Sequence, residues 1–470
     1  IKFRLRLRPF LCLDETPRRV YQCARRHYFY FILIELRIFQ TKMDNNQYLI
    51  PKIEQPFNVD LELPGSKSIA LRQLAMSALT EATTTLEGVP VCDDTAAMLE
   101  CLEQLGLSIS QSNTTVTIGG PMNLVGDVAI NARMSGASTR LLIALAALRS
   151  GETLIDGHES LRSRTNLPLV NALQKLGCHI DSSEGHLPLV VRGPIQQTES
   201  VQIDGSLSSQ YITALLLISC GVAGAQSIFK KITIEGELVS KPYIDITINE
   251  MIKRGVNARW EDARSISIDT IGDYEAGHIT IEGDATAASY AASLACIHKG
   301  QVRFTNLGSN THQGDYRFFE VLERLGAEVS RDQTSTLIRG PSRLTPFESI
   351  DMQDMPDVAL TLIGLAPLLK NKLSISGLSS LHHKECDRLE CPAGEMLKMG
   401  IDVTTTSDSI RIQPISIEDL NTHLLTTYHD HRMAMAFSLI GSKTGKITVD
   451  DKFVVNKTYP NYWLDYEKLT

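Results

Sequence analysis

One pattern recurs six times along the chain, at intervals of about 70 residues. Each time, a short cluster of small polar residues opens a helix-length apolar segment. The six segments are 66–79, 135–148, 206–219, 283–295, 354–369 and 429–441. Because such a segment is apolar around the whole helix, we expect it to be buried, with its polar start as an N-cap. The pattern predicts an internally repeated fold built around six buried helices.

Most units continue with a second pattern, in which an amphipathic helix ends at Leu-Gly or a similar stop before a strand. The segments are 98–109, 169–180, 248–258, 318–329 and 394–403. Apolar residues three and four positions apart, followed by Gly, are typical of a helix and its end. Short β-branched runs such as 115–119 and 278–283 favour strands. The chain is therefore expected to be α/β, and six units suggest two domains of three units each.

The first 42 residues differ in composition from the rest. They hold ten Lys or Arg against three acidic residues, and they contain neither Ser nor Gly. A transit peptide would also be rich in Ser, so we prefer to interpret residues 1–42 as an extension outside the fold, ahead of Met43. The apolar run 28–34 is far shorter than the roughly 20 residues of a membrane span.

Charge and cysteine content narrow the expected partners. The net charge is −8, and without the +7 of the extension residues 43–470 carry −15. Such a charge disfavours nucleic acid and acidic membranes. The nine cysteines are scattered without a disulfide framework, which favours reduced thiols in a cytosol-like compartment. We predict a cytoplasmic protein without a nucleic-acid or membrane partner.

The segment 381–394, LHHKECDRLECPAG, allows two interpretations. The candidate zinc ligands are His382, His383, Cys386 and Cys391. Adjacent histidines point in different directions, and no CxxC or HxxxH pair stands nearby, so the spacing argues against a metal. The alternative is that the charged residues handle an anion. These are Lys384, Glu385, Asp387 and Arg388.

Basic residues stand beside the helix starts in nearly every unit. They are Lys67, Arg72, Arg140, Arg162, Arg164, Lys241, Lys384, Arg388, Arg432 and Lys457. Each alone would usually be a solvated surface charge, and each polar helix start would usually be only a cap. Together, free N–H groups at helix starts and nearby cations favour an anionic ligand. Arg suits carboxylate and phosphate, while Lys adds a point charge and a transferable proton.

Over residues 60–465 the chain resembles the 5-enolpyruvylshikimate-3-phosphate (EPSP) synthases. The motifs include PGSKS (64–68), ELVSKPYIDIT (237–247), KECDRL (384–389), DHRMAM (430–435) and KTYPNY (457–462). The resemblance implies a two-domain inside-out α/β barrel with six βαβαββ repeats, three per domain. The expected domains are 66–280 and 43–65 plus 281–470. The resemblance also implies the reaction, which is transfer of the enolpyruvyl group of phosphoenolpyruvate to the 5-hydroxyl of shikimate-3-phosphate. It further implies a monomer that uses neither metal nor cofactor.

The resemblance also assigns site residues. The expected catalytic residues are Asp357, which would accept the hydroxyl proton, Glu385, which would give and remove the C3 proton, Lys384 and Lys67. The expected phosphoenolpyruvate site comprises Lys67, Gly136, Arg164, Gln210, Arg388, Arg432 and Lys457. The expected shikimate-3-phosphate site comprises Ser68, Arg72, Ser208, Ser209, Gln210, Tyr243, Asp357 and Lys384.

Several positions depart from the family pattern. They are Ala70, Leu71, Met134, Ala137, Leu141, Ser380 and His429. Since Gly136 is kept while its neighbours differ, we expect intermediate tolerance to glyphosate, a phosphoenolpyruvate mimic. One alternative is the related transferase that acts on UDP-N-acetylglucosamine, which would carry a loop cysteine as general acid. Another is a non-catalytic binding protein, which would be expected to lack Asp357, Lys384 or Glu385.

Overall fold

The computed structural model describes residues 46–222, 227–269 and 273–470, so the predicted extension 1–42 lies outside the described residues. The α-helices that follow are α1 (Lys67–Ser77), α2 (Asp93–Gln104), α3 (Gly136–Ala146), α4 (Glu159–Arg162), α5 (Leu167–Lys175), α6 (Ser209–Ile218), α7 (Lys241–Lys253), α8 (Ala285–His298), α9 (Phe318–Arg324), α10 (Pro356–Leu365), α11 (Glu390–Lys398), α12 (His431–Thr444) and α13 (Tyr462–Glu467). Short 3-10 helices occupy Gly314–Arg317, Ala366–Leu368, Ser379–His383 and Lys452–Lys457.

The strands are β1 (Tyr48–Leu49), β2 (Asn58–Leu61), β3 (Thr84–Glu87), β4 (Ser108–Ser112), β5 (Thr115–Gly119), β6 (Val128–Asn131), β7 (Gly151–Asp156), β8 (His179–Ser183), β9 (His186–Gly193), β10 (Ser200–Asp204), β11 (Lys231–Glu235), β12 (Asn257–Asp262), β13 (Ser265–Asp269), β14 (His278–Thr280), β15 (Gln301–Phe304), β16 (Glu328–Arg331), β17 (Thr336–Arg339), β18 (Ser349–Asp351), β19 (Leu373–Ser376), β20 (Val403–Thr405), β21 (Ile410–Ile412), β22 (His423–Leu425) and β23 (Ile447–Val449).

Within the described residues these strands form six sheets that follow one plan. Five have four strands, in the orders β14-β3-β5-β4, β6-β7-β9-β8, β10-β11-β13-β12, β16-β17-β15-β2 and β18-β19-β21-β20, and one has three, β1-β23-β22. In β6-β7-β9-β8 the chain runs β6, α3, β7, the one-turn α4, α5, β8, β9, with β6 and β7 parallel and β9 antiparallel to β7. This is the βαβαββ order that the resemblance implied.

The six apolar segments form the helices α1, α3, α6, α8, α10 and α12, and each lies largely buried. The amphipathic segments form α2, α5, α7, α9 and α11. The glycine that follows each of these five has φ between 80° and 100°, a left-handed conformation that ends a helix and suits Gly. Both helix predictions are therefore confirmed.

Two separate clusters of buried apolar side chains form the cores. The first lobe is built on the cluster from Ile69 to Ile281, and the second lobe on the cluster that joins Ile50–Leu63 to Ala285–Leu469. Helices α1, α3 and α6 lie in the first cluster, and α8, α10 and α12 lie in the second. The division of the chain at 65/66 and 280/281 stays a prediction.

The chain passes between the lobes twice. Strand β2 pairs in parallel with β15 of the second lobe, although α1 of the first lobe follows it, and β14 pairs in parallel with β3 of the first lobe. The two passages run side by side, with Ser66 N donating to Glu282 O at 2.7 Å and Asp284 N donating to Pro64 O at 2.9 Å. A Cβ at Gly65 would lie 1.8 Å from Gly88 O, so only glycine fits at this passage.

No helix among the described residues has the length and apolar content needed to cross a membrane. The seven cysteines of the described part are free thiols, five of them buried.

Candidate active site

A cavity of about 340 Å³ lies between the two lobes. The starts of α1, α3 and α6 line it from the first lobe, and the starts of α10 and α12 line it from the second. The second lobe also contributes Ser380, His382, His383, Lys384, Glu385 and Arg388. The predicted site residues that line this cavity are Lys67, Ser68, Arg72, Gly136, Arg164, Ser208, Ser209, Gln210, Tyr243, Asp357, Lys384, Glu385, Arg388 and Arg432. Lys457 lies behind Glu385 in this wall, and its Nζ donates to Glu385 Oε1 at 2.9 Å.

Asp357 lies in the first turn of α10 and faces three cations. Its carboxylate is 3.2 Å from Lys384 Nζ, 3.3 Å from Arg388 Nη1 and 3.2 Å from Arg432 Nη2. Burial alone would raise the pKa of Asp357, but these cations outweigh it and hold the pKa well below its usual range. The N-cap of α10 is Met355, and Asp357 lies within the first turn of the helix.

Glu385 faces a second set of cations. Its carboxylate is 2.9 Å from Lys457 Nζ, 2.7 Å from Arg388 Nη2 and 3.3 Å from Arg164 Nη2. The pKa of Glu385 lies well below its usual value because these charges outweigh burial. Arg164 belongs to the first lobe and also donates from Nε to Lys384 O at 3.0 Å, so it joins the two walls of the cavity.

Arg388 is held by an acid that the sequence did not single out. Asp430, the N-cap of α12, accepts from Arg388 Nε at 2.7 Å and from Nη2 at 3.2 Å. The side chain of Arg388 is 2% exposed and that of Asp430 is 0% exposed. Burial opposes the charge of Arg388, but Asp430 and Glu385 outweigh it and raise its pKa. The guanidinium is thus fixed in position between Asp357 and Glu385.

Lys67 has a similar unpredicted partner. Its Nζ lies 3.0 Å from Asp94 Oδ2, at the start of α2. Burial lowers the pKa of Lys67, yet Asp94 outweighs it and the pKa is raised. Arg140, which the sequence grouped with the basic residues but did not assign, also lines the cavity and donates from Nη1 to Gly136 O at 2.8 Å.

Ser208 and Ser209 lie at the start of α6, in the cavity wall formed by the first lobe. Ser208 Oγ accepts from Gln210 N at 3.2 Å, so Ser208 caps the helix. The next residue, Ser209, is buried at the first helical position. The start of α6 lines the cavity, and the positive end of the helix dipole favours an anion there.

Arg72 reaches the cavity wall, but its N–H groups face the protein. It donates to Thr247 Oγ1 at 2.8 Å, to Tyr243 O at 2.9 Å and to Ser68 O at 2.6 Å. A fourth bond goes to Thr213 Oγ1 at 3.3 Å. Of its five donors, one remains for a ligand, so Arg72 mainly orders the residues around it.

Segment 381–394 places the charged side chains of Lys384, Glu385 and Arg388 in the cavity wall. His382 Nδ1 pairs with Asp387 at 2.8 Å and Nε2 with Ser407 O at 3.1 Å, and Cys386 Sγ contacts Asp430 at 3.5 Å. The described residues contain no group of three or more His, Cys, Asp or Glu placed to hold a metal. Two of the basic residues expected near an anionic ligand do not line the cavity. Arg162 pairs with Asp156, and Lys241 pairs with Asp245.

A family model for EPSP synthase (3-phosphoshikimate 1-carboxyvinyltransferase) matches residues 51–465. The chain belongs to the EPSP synthase family. It is 35% identical over 418 residues to a 3-phosphoshikimate 1-carboxyvinyltransferase of Shewanella sp. (strain W3-18-1), covering 87% of this chain and 96% of the relative. The corresponding enzyme of Mannheimia haemolytica is 34% identical over 423 residues, with the same coverage.

Solved structures agree on the fold of this EPSP synthase family member. An EPSP synthase of Acinetobacter baumannii superposes with a TM-score of 0.70 at 23% identity, over 89% of this chain and 96% of the other. The enolpyruvyl transferase NikO of Streptomyces tendae gives 0.68 at 16% identity, over the same shares. The predicted enolpyruvyl transferase fold and the predicted enzyme class, 3-phosphoshikimate 1-carboxyvinyltransferase (EC 2.5.1.19) of aromatic amino acid biosynthesis, are confirmed.

Proposed function

We propose that the chain transfers the enolpyruvyl group of phosphoenolpyruvate to the 5-hydroxyl of shikimate-3-phosphate in the cavity between the lobes, and releases phosphate. The observation that carries this proposal is a pair of ionised carboxylates, Asp357 and Glu385, on one buried guanidinium, that of Arg388. The reaction needs a base for the hydroxyl, a proton donor for C3, and cations for two anionic substrates. All three lie within this cluster.

Asp357 is the proposed base for the 5-hydroxyl. Three cations keep it ionised, and the anionic substrates would compete for these cations, which would raise the proton affinity of Asp357 when they bind. Lys384 contacts it at 3.2 Å and would stabilise charge that develops on the attacking oxygen. The oxygen then forms a bond to C2 of the enolpyruvyl group, which gives a tetrahedral adduct that still carries phosphate.

Glu385 is the proposed acid and base at C3. Its cations, Lys457, Arg388 and Arg164, are those proposed to bind phosphoenolpyruvate, so the substrate competes with Glu385 for them. As the substrate takes these partners, the pKa of Glu385 rises towards its usual value or above, and the carboxyl group can hold a proton. Glu385 gives this proton to C3 and later removes one as the C2–O bond to phosphate breaks.

The phosphoenolpyruvate clamp draws on both lobes. Lys67 and Arg164 come from the first lobe, and Arg388, Arg432 and Lys457 come from the second. Gln210 and Gly136 complete the proposed subsite. Because opposite walls supply the cations, the anion itself holds the lobes together and excludes water from the reacting atoms.

The shikimate-3-phosphate subsite is proposed at the start of α6. Ser208, Ser209 and Gln210 would hold the 3-phosphate at the helix start, and Ser68 and Tyr243 flank it in the cavity lining. Asp357 and Lys384 would meet the ring hydroxyl. Arg72 supports this subsite from behind, since most of its donors are bonded within the protein.

The test is phosphate release from phosphoenolpyruvate, measured with shikimate-3-phosphate and, separately, with UDP-N-acetylglucosamine. We expect release only with shikimate-3-phosphate. Release with the nucleotide sugar would assign the chain to the other transferase activity. Binding of shikimate-3-phosphate without any release would instead fit a non-catalytic binding protein.

No metal or organic cofactor has a part in this proposal, because Lys and Arg match the substrate charges. We propose that the enzyme acts as a cytoplasmic monomer, because the proposed site already holds a base, a proton donor and cations from both lobes of one chain and needs no residue from a second copy. Sedimentation equilibrium near 52.0 kDa would support the monomer.

A further inference from the structure

Asp315 is a buried carboxyl group that no assigned role uses. It lies in the 3-10 helix Gly314–Arg317 of the second lobe and is 4% exposed. Across the lobe boundary, the phenol of Tyr243 donates to it, at 3.1 Å to Oδ1 and 3.3 Å to Oδ2. Thr286, at the start of α8, also donates to Oδ2. The carboxylate is therefore an acceptor shared between the two lobes.

The backbone beside Asp315 is fixed from both sides. Gln313 accepts from Ala285 N at 3.0 Å and donates to Gly283 O at 2.8 Å, which ties the segment to the second passage between the lobes. A Cβ on Gly314 would lie 2.5 Å from Pro242 Cβ, so the segment packs directly on the residue before Tyr243.

Tyr243 is held on its own side as well. Its carbonyl oxygen accepts from Arg72 Nη2 at 2.9 Å, while its side chain lines the active-site cavity. The main chain of Tyr243 is thus set by the first lobe, and the direction of its phenol is set by Asp315 of the second.

Keeping Asp315 ionised is unfavourable for the fold. The charged groups that face it are Asp357, Asp284 and Arg432, and the neutral, titratable phenol of Tyr243 also faces it. Burial, followed by the charge of Asp357, raises the pKa of Asp315 to about 6. Above that pH the ionised group destabilises the folded state relative to a neutral side chain of the same shape. A residue kept at such a cost points to a functional role.

We propose that Asp315 is a positioning residue for the acceptor-substrate subsite, which orients the phenol of Tyr243 from the opposite lobe. The subsite is then complete only when the two lobes are in contact at Gly314 and Pro242. This inference rests on the proposed function, because Tyr243 is assigned to shikimate-3-phosphate there.

The test compares Asp315→Asn, Tyr243→Phe and the double variant with the wild type at pH 8. We expect either single change to raise KM for shikimate-3-phosphate about tenfold while kcat changes less than threefold. The double variant should be no worse than the worse single one, because the two residues act as one unit. The matched control is Asp354→Asn, a neighbouring carboxylate that is 58% exposed and 3.4 Å from Arg317. It should keep the wild-type KM.

Two further readouts separate positioning from a structural role. Asp315→Asn should not lower the unfolding temperature at pH 8, because it removes an unfavourable buried charge. The ratio of variant to wild-type KM should fall towards one as the pH drops below about 6, where Asp315 itself takes up a proton. Titration of the substrate phosphates cancels in this ratio.

The inference would be overturned if Asp315→Asn kept the wild-type KM for shikimate-3-phosphate, or if the losses in the double variant were additive. It would also be overturned if KM changed only when the unfolding temperature was lowered as well. None of these outcomes bears on the proposed function. That proposal fails instead if the wild type releases no phosphate with shikimate-3-phosphate.

Discussion

At the scale of single residues, Arg388 makes Asp357 and Glu385 a functional pair. Both carboxylates contact its guanidinium, and Asp430 holds that guanidinium from behind. The arrangement keeps both acids ionised. It also gives them different neighbours, since Asp357 faces Lys384 and Glu385 faces Lys457. Chemistry at two different atoms of the substrates can then proceed in one small cavity.

Glu385→Gln and Asp357→Asn test this pairing. We expect kcat to fall by roughly 10²–10⁴-fold, as is typical for loss of an acid or base. KM for phosphoenolpyruvate should stay the same or fall in Glu385→Gln, because the carboxylate no longer competes for Lys457 and Arg164. Steady-state kinetics measure both. Glu390→Gln, an exposed acid at the start of α11, is the control and should behave as wild type. A raised KM with unchanged kcat would reassign the two acids to binding.

Gly136→Ala tests the placement of the phosphoenolpyruvate subsite. The new Cβ would lie 2.6 Å from Arg140 Nη1 and 2.8 Å from Arg164 Nη1, so at least one guanidinium has to move. We expect KM for phosphoenolpyruvate to rise several-fold and the inhibition constant of glyphosate, a longer ligand, to rise more. Competitive inhibition measured against phosphoenolpyruvate gives both constants. Equal glyphosate constants in the two proteins would show that Gly136 does not line this subsite.

At the scale of elements, the starts of the buried helices serve both the fold and the site. Caps at Ser135, Ser208, Asp284 and Asp430 satisfy backbone N–H groups. The same helix starts carry several of the polar side chains that line the cavity. Capping and ligand binding are therefore not alternatives here, although the sequence presented them as such.

Ser208 allows the two roles to be separated. Ser208→Ala should lower stability by about 1 kcal/mol through loss of the cap and raise KM for shikimate-3-phosphate. Ser208→Asp keeps a good cap but places a carboxylate beside the 3-phosphate, so stability should be retained while KM rises further. Urea unfolding and steady-state kinetics provide the two measurements. If KM followed stability in both variants, the start of α6 would not bind the phosphate.

The helices and the βαβαββ order could be predicted because they repeat within the chain and have local signatures. Pairing between distant residues has no such signature. Nothing in the sequence around Asp94, Asp315 and Asp430 indicates their partners. Only the fold brings them to Lys67, Tyr243 and Arg388. The pairing of β2 with β15 and of β14 with β3 likewise joins strands that lie more than 190 residues apart in the sequence.

At the scale of the whole molecule, charge links the cleft to acid stability. The pKa of Glu385 and that of Asp357 are lowered in the folded state. Their contribution to the free energy of unfolding is complete above the pKa values that the two groups have in the unfolded chain, near 4. It is lost as the pH falls below that. Below pH 4 the unfolded chain takes up protons at these two carboxyl groups while the folded state still holds them ionised, so the protein should lose stability in acid.

Urea unfolding from pH 6 to pH 3 tests this coupling. We expect the midpoint of the wild type to fall steeply below pH 4, and that of Glu385→Gln to fall less, because this variant lacks the carboxyl group of Glu385 and so takes up one proton fewer when it unfolds. Glu390→Gln again serves as the control. Parallel curves for the wild type and Glu385→Gln would contradict the lowered pKa of Glu385.

The most direct test of the central claim is the reaction run in D₂O with phosphoenolpyruvate and shikimate-3-phosphate, followed by mass spectrometry of the enolpyruvyl product. If Glu385 gives C3 a proton and removes one, solvent deuterium enters the methylene group of the product. The account predicts product carrying deuterium from the wild type, and loss of both product and exchange in Glu385→Gln. Wild-type product free of deuterium, or undiminished exchange in Glu385→Gln, would contradict it.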